Sequence, residues 1–191
     1  MHLRTGVVAL ALVLPACAGT SSSGVGATGP TPAPTDSTSQ VASRCSSGSI
    51  SARVGSKAPV PGASGQFRLT AVFTNTGGRP CTLHGYPTVV LRGPADPNGR
   101  VYRIAESPGS ARTVRLRAGG TAEAVITYLK SQAGDIGSLG SKNWIPTTLV
   151  ITLPGDQGRI SVGWPSSDPV LRQDEATHPG TYVGPVLPGR Q

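Results

Sequence analysis

Cysteine, histidine and carboxylate are the residue types here that could do chemistry, and their spacing limits what they could do. Cysteines stand at Cys17, Cys45 and Cys81, histidines at His2, His84 and His178, and Asp and Glu together number 9 in 191 residues. Cys45 has no histidine near it in sequence and Cys81 has only His84, so two thiols and one imidazole fall short of a closed zinc shell. In a chain that leaves the cytosol, a lone pair of this kind reads as a disulfide. On the chain-entropy account such a bridge stabilises the fold by about 3–4 kcal/mol. The alternative, a metal or redox pair, needs a further ligand from elsewhere. General acid–base catalysis needs two positioned titratable groups. His84 sits where a loop turns into a strand, His178 lies in a polar tail, and carboxylates such as Glu106, Glu123, Asp168 and Asp174 are scattered. No G-x-S-x-G elbow occurs. Gly24-Val25-Gly26-Ala27-Thr28-Gly29 matches the dinucleotide fingerprint letter for letter, but Ser-rich and Pro-rich flanks supply neither the strand nor the helix it requires. The expectation is therefore a protein without catalytic residues, metal or cofactor. A cryptic hydrolase or metal-handling site built on His84 and His178 is the alternative.

The chain opens with an address. Arg4 precedes an apolar run over residues 6–16, too short to span a bilayer but suited to the core of a secretory signal. Leu14-Pro15-Ala16-Cys17 resembles the bacterial lipobox. That resemblance implies cleavage before Cys17 and acylation of its thiol and new amino group, so residues 1–16 read as a lipoprotein signal peptide. Residues 17–44 are rich in Ser, Thr, Pro and Gly and nearly free of large apolar side chains, so they cannot offset the entropy of ordering. They read as a disordered tether, about 30 Å end to end as a flexible coil.

Beyond the tether the pattern changes to short apolar–polar alternations. Phe67, Leu69, Ala71 and Phe73 alternate with Arg68 and Thr70, the period of a half-buried strand. Similar runs occur over 50–54, 88–91, 101–104, 113–117, 122–129, 147–153, 159–164 and 182–187. Asp96-Pro97-Asn98-Gly99 marks a turn and Gly119-Gly120 a hairpin. Glycine (26) and proline (18) are spread throughout and break helices, while aromatics at 4% leave any core to Val, Leu, Ile and Ala. Many short strands with this turn spacing predict an all-β domain, an antiparallel β-sandwich over 45–189.

The segment Phe73-Thr74-Asn75-Thr76-Gly77-Gly78-Arg79-Pro80-Cys81-Thr82-Leu83-His84-Gly85-Tyr86-Pro87 resembles the hallmark of the family called domain of unknown function 4232, secreted or lipid-anchored proteins of actinobacterial type. Val114 to Ala122 resembles its Gly-containing hairpin, with Ala118 where proline is usual, and Gly184 to Gly189 its last strand. The resemblance implies an immunoglobulin-like fold and names no substrate. Many members look to carry a second cysteine pair. Here Asn143 and Ala176-Thr177-His178 occupy those places, which predicts a less rigid C-terminal third. Within the hallmark, Asn75 and Gly77 suit a tight turn at positive φ, Pro80 and Pro87 suit strand edges, and Tyr86 suits the core.

Lys and Arg outnumber Asp and Glu by 17 to 9, and the formal net charge is +8. Arg100, Arg103, Arg112, Arg115 and Arg117 cluster in sequence, with Arg115 and Arg117 on one side of their strand. Arg103, Arg115 and Arg117 are the candidate contacts for an anionic envelope polymer, an envelope protein or phospholipid headgroups. The competing reading is a solvated strand face that keeps a sheet edge soluble. Nucleic acid is a poor fit, because no stacking aromatics alternate with the basic residues. The whole reads as an extracytoplasmic, membrane-anchored, non-catalytic binding module.

Overall fold

The computed structural model describes residues 42–190. The signal segment, Cys17, the Gly24–Gly29 run and the tether up to residue 41 lie outside the described residues. In chain order the strands are β1 (Ser43–Arg44), β2 (Ile50–Val54), β3 (Ala58–Pro59), β4 (Gln66–Asn75), β5 (Cys81–His84), β6 (Thr88–Arg92) and β7 (Val101–Arg103). Then follow β8 (Ala105–Glu106), β9 (Thr113–Leu116), β10 (Thr121–Leu129), β11 (Thr148–Thr152), β12 (Arg159–Gly163), β13 (Tyr182–Val183) and β14 (Leu187–Pro188).

The alternating runs become strands because each has one side to bury. β4 and β10 form the long antiparallel ladder from Thr74–Thr121 to Gln66–Leu129. Their sheet runs β2-β4-β10-β13-β8, with β3 on β4 and β14 on β10. A four-stranded antiparallel sheet runs β12-β11-β6-β7, and a third sheet runs β1-β5-β9. Only β1–β5 and β8–β13 pair in parallel among the described strands. Leu69, Ala71, Phe73, Ala122, Ile126 and Tyr128 from the large sheet share one core with Val89, Leu91, Tyr102, Leu149 and Ile151 from the four-stranded one. Across the ladder, Phe73 faces Ala122 and Leu69 faces Ile126, so a small residue makes room for the Phe73 ring. The expected all-β class holds, and the arrangement fits a β-sandwich.

Cys45 and Cys81 form the expected disulfide, 36 positions apart in sequence and with Cα atoms 4.9 Å apart. It welds β1 to the start of β5. The Cys-Thr-Leu-His segment, which carries no long alternation, is itself a strand between β1 and β9. Pro80 and Pro87 immediately precede β5 and β6, as strand-edge prolines should.

Two expectations for the hallmark segment are corrected. Neither Asn75 nor Gly77 is among the residues at positive φ. Asn75 is instead a clamp, 1% exposed. Its Nδ2 donates to the carbonyls of Arg79 (2.9 Å), Leu116 (3.2 Å) and Arg117 (3.2 Å), and its Oδ1 accepts from Gly77 N (3.0 Å). One amide thus ties the β4–β5 loop to the β9–β10 hairpin, whose turn uses Gly119 at φ +73. Tyr86 is only half-buried, and its hydroxyl donates to Gly109 O at 3.0 Å. It is not part of the buried core cluster.

The C-terminal third has a brace of another kind. Arg172 is fully buried, with its side chain 0% exposed. Its Nε donates to Asp174 Oδ2 (2.9 Å), Nη1 to Gly99 O (2.7 Å), and Nη2 to Val101 O (2.8 Å), Asn98 O (3.2 Å) and Asp174 Oδ1 (2.6 Å). Nη1 also lies 3.3 Å from Asp96 Oδ1. The guanidinium sits 4.8 Å from the Trp144 ring centre and 5.4 Å from that of Tyr102. Burial pushes the Asp96 carboxyl up, but hydrogen bonds from Ser141 and Asn98 and the Arg172 charge outweigh this and hold it below the usual value. Asn143 takes a left-handed φ of +50, which asparagine tolerates.

Two measurements check these supports. Replacing both Cys45 and Cys81 by serine should lower unfolding free energy by about 3–4 kcal/mol in urea titrations. Asn75→Ala leaves buried carbonyls of the hairpin without a donor and should cost about 2–3 kcal/mol with the disulfide intact.

Candidate functional site

Cations whose charge is already matched inside the fold differ from those left facing water. Lys57 Nζ lies 2.5 Å from Asp168 Oδ2 and Lys130 Nζ 3.2 Å from Asp168 Oδ1. The Tyr128 hydroxyl donates to the same carboxylate at 3.1 Å, and its ring stacks on Phe67 and meets Trp164 edge-on. Burial opposes ionisation of Asp168, yet the two lysines and the tyrosine hydroxyl bring it down to about 2. Burial, together with the Asp168 charge, pushes Tyr128 up to about 12. Arg172 is consumed by Asp96 and Asp174, and Arg190 lies 3.7 Å from Glu123. The Asp168 and Arg172 clusters tie separate parts of the fold, whereas Arg190 is 93% exposed and its contact adds little.

The candidate arginines are exposed and make no ion pair among the described residues. They do not form one patch. Arg115 and Arg117 line a cleft of about 540 Å³ along the β9–β10 hairpin, together with Thr121 and Pro188. Arg103 lies on β7, in another sheet, and lines a depression of about 170 Å³ with Arg92, Arg159, Thr88, Val90 and Val150. Arg92 and Arg159 were missing from the sequence-based candidates. A period-two signal would have found them: Arg92 is in phase with Thr88 and Val90, and Arg159 with Ser161, all on the side opposite the core.

The alternation places this second set. Val89, Leu91 and Tyr102 point inward and are buried, so Thr88, Val90, Arg92, Val101 and Arg103 must point outward. The ladder sets Arg103 opposite Val90, Val90 opposite Val150, and Val150 opposite Ser161. No Asp or Glu occurs anywhere in β6, β7, β11 or β12. On the large sheet, by contrast, Arg53 and Glu123 flank Val72 in one row, mixing the signs of charge.

The histidines stand apart. His84 is exposed with Nδ1 3.2 Å from Thr113 Oγ1, and exposed His178 lies 3.2 Å from Thr177 Oγ1. No group of three His, Cys, Asp or Glu positioned to hold a metal occurs among the described residues. What the arrangement offers chemically is fixed positive charge on an open sheet, a surface that attracts oxyanions.

Fold and surface together define an all-β, disulfide-bonded domain with an arginine-bearing sheet. The chain belongs to the family described as Domain of unknown function (DUF4232), whose model matches residues 45–186. No curated protein and no solved structure matches it.

The Asp168 cluster makes stability depend on pH at both ends. An unfolded aspartate takes up its proton near 3.9, whereas native Asp168 stays ionised to about 2. Its contribution is complete above the unfolded value and is lost as pH falls from about 4 toward 2. An unfolded tyrosine releases its proton near 10, whereas native Tyr128 holds its own to about 12, so this contribution is lost as pH rises between those values. Thermal midpoints measured against pH should show both limbs, with Asp168→Asn weakening the acid limb and Tyr128→Phe the alkaline one.

Proposed function

We propose that this is a lipid-anchored protein of the cell envelope whose β-sandwich is a non-catalytic binding module for an anionic envelope component. The observation that carries the reading is the set of exposed arginines without internal partners, against other basic residues that the fold pairs off. Long-range attraction from such charge raises the local concentration of anions at the surface. The anchor follows from the Leu14-Pro15-Ala16-Cys17 run. Acyl chains on Cys17 contribute about 0.8 kcal/mol per buried CH₂, so two or three of them retain the protein without a spanning helix.

Fractionation of cells expressing the full chain tests the anchor. The protein should partition into the detergent phase with an N-terminal Cys17 carrying acyl mass, and Cys17→Ser should move it to the aqueous phase or leave it uncleaved. Aqueous partitioning of the unaltered protein would refute the anchor. Stoichiometric metal in the purified protein, or hydrolytic turnover lost on His84→Ala, would refute the non-catalytic reading.

A further inference from the structure

We propose that the outer face of the β12-β11-β6-β7 sheet binds a linear polymer with phosphate groups repeated along its chain, lying across the strands between Arg103 and Arg159. The inference rests on the binding-module reading above and names the site and ligand class within it.

Charge comes first. The four strands carry Arg92, Arg103 and Arg159 and no carboxylate, so no internal partner competes for an arriving anion. A guanidinium presents a planar fork of donors that stays charged at any working pH and suits phosphate oxygens. Between the arginines, the hydroxyls of Thr88 and Thr152 border the same depression, and Val90 and Val150 form its floor. Hydroxyls donate to the remaining oxygens, while the apolar floor accepts the uncharged links between phosphates.

Spacing separates a polymer from a single ion. β7 and β12 are the two edges of the sheet, about 14 Å apart at the usual strand separation. Arg92 pairs with Val101, so Arg103 is its diagonal neighbour, with Cα atoms about 7–8 Å apart. One phosphate held by Arg92 and Arg103 leaves Arg159 without a partner on the far edge. Phosphates repeated along one chain satisfy both ends.

Shape and side-chain types disfavour two other occupants. Val90 and Val150 are less exposed than the arginines around them, and a strand-like polymer follows such a depression more closely than a planar lipid headgroup layer does. None of the outward residues on the four strands is aromatic, so unpaired bases find nothing to stack on. The face is also fixed before binding: Arg172 grips the carbonyls of Asn98, Gly99 and Val101, which holds β7 and Arg103 in register.

Titration of labelled linear polyphosphate against the purified mature protein tests this. Arg92→Gln/Arg103→Gln/Arg159→Gln should weaken binding at least about tenfold and reduce the slope of log K against log salt by about 2–3. Arg115→Gln/Arg117→Gln, on the other sheet, should stay within about twofold of the unaltered protein. The three arginines point to water, so thermal midpoints should be unchanged. Arg103→Lys keeps the charge but loses the fork, and gives an independent variant that should also weaken binding. Several results would overturn the proposal: equal loss in both multiple variants, inorganic phosphate binding as tightly as the polymer, polyglutamate binding as tightly as polyphosphate, or binding to anionic vesicles without binding to polyphosphate. Loss confined to the Arg115/Arg117 variant would remove this site and leave the binding-module reading standing. Absence of binding to every anion would remove both.

Discussion

A single buried guanidinium, Arg172, holds together the C-terminal part of the molecule, which no disulfide ties among the described residues. Burying an isolated charge costs several kcal/mol unless its partners are well placed. Around Arg172 they are: two carboxylates, three backbone carbonyls and two aromatic rings approach it from separate parts of the chain. The contacts to residues 98, 99 and 101 fix the turn before β7, and the contact to Asp96 fixes the start of that turn. Ser138, bonded to the carbonyls of Arg172 and Asp174, brings in the loop that carries Trp144. Trp144 in turn packs so tightly on Gly93 that a Cβ there would lie 2.8 Å from the ring. A covalent bridge tolerates loose surroundings; this ionic one works only because every donor has an acceptor.

Opposite ends of the domain therefore use different chemistry for the same task. At the N-terminal end the Cys45–Cys81 bond and the Asn75 amide join β1, β5 and the β9–β10 hairpin. At the other end Arg172 joins the β6–β7 turn to the C-terminal segment. With aromatics at 4% of the sequence, the core alone is thin, and both fastenings sit where strands are short. What remains between them is the β4–β10 ladder, long enough to bury a full row of side chains on its own.

Much of this was legible in the alternation of residues. The runs beginning at Gln66, Thr88, Ala122 and Arg159 each became a strand, because one side had an apolar core to meet. β5 was not legible: with four residues and a polar Thr82 between Cys81 and Leu83, it depends on neighbours supplied by tertiary pairing. Asn75 looked like a turn former because asparagine often is one, yet burial turned its amide into a three-way donor. Arg172 gave no signal, since Leu171-Arg172-Gln173-Asp174 resembles any polar loop and its carbonyl acceptors are more than 70 positions away in sequence. Arginines adjacent in sequence looked like one patch, but Arg103 and Arg115 belong to strands of different sheets. Sequence proximity is a poor guide to a surface in a protein of crossed strands.

The central claim is that the Arg172 guanidinium sets the edge strand on which the exposed arginine face is built. Amide hydrogen exchange on Arg172→Lys, which keeps the positive charge but cannot fill the fork, tests it most directly. The account predicts much faster exchange over residues 96–103 and 138–144, with β4 and β10 as protected as before. Unchanged protection over 96–103 would contradict it and leave Arg172 as one buried polar residue among several.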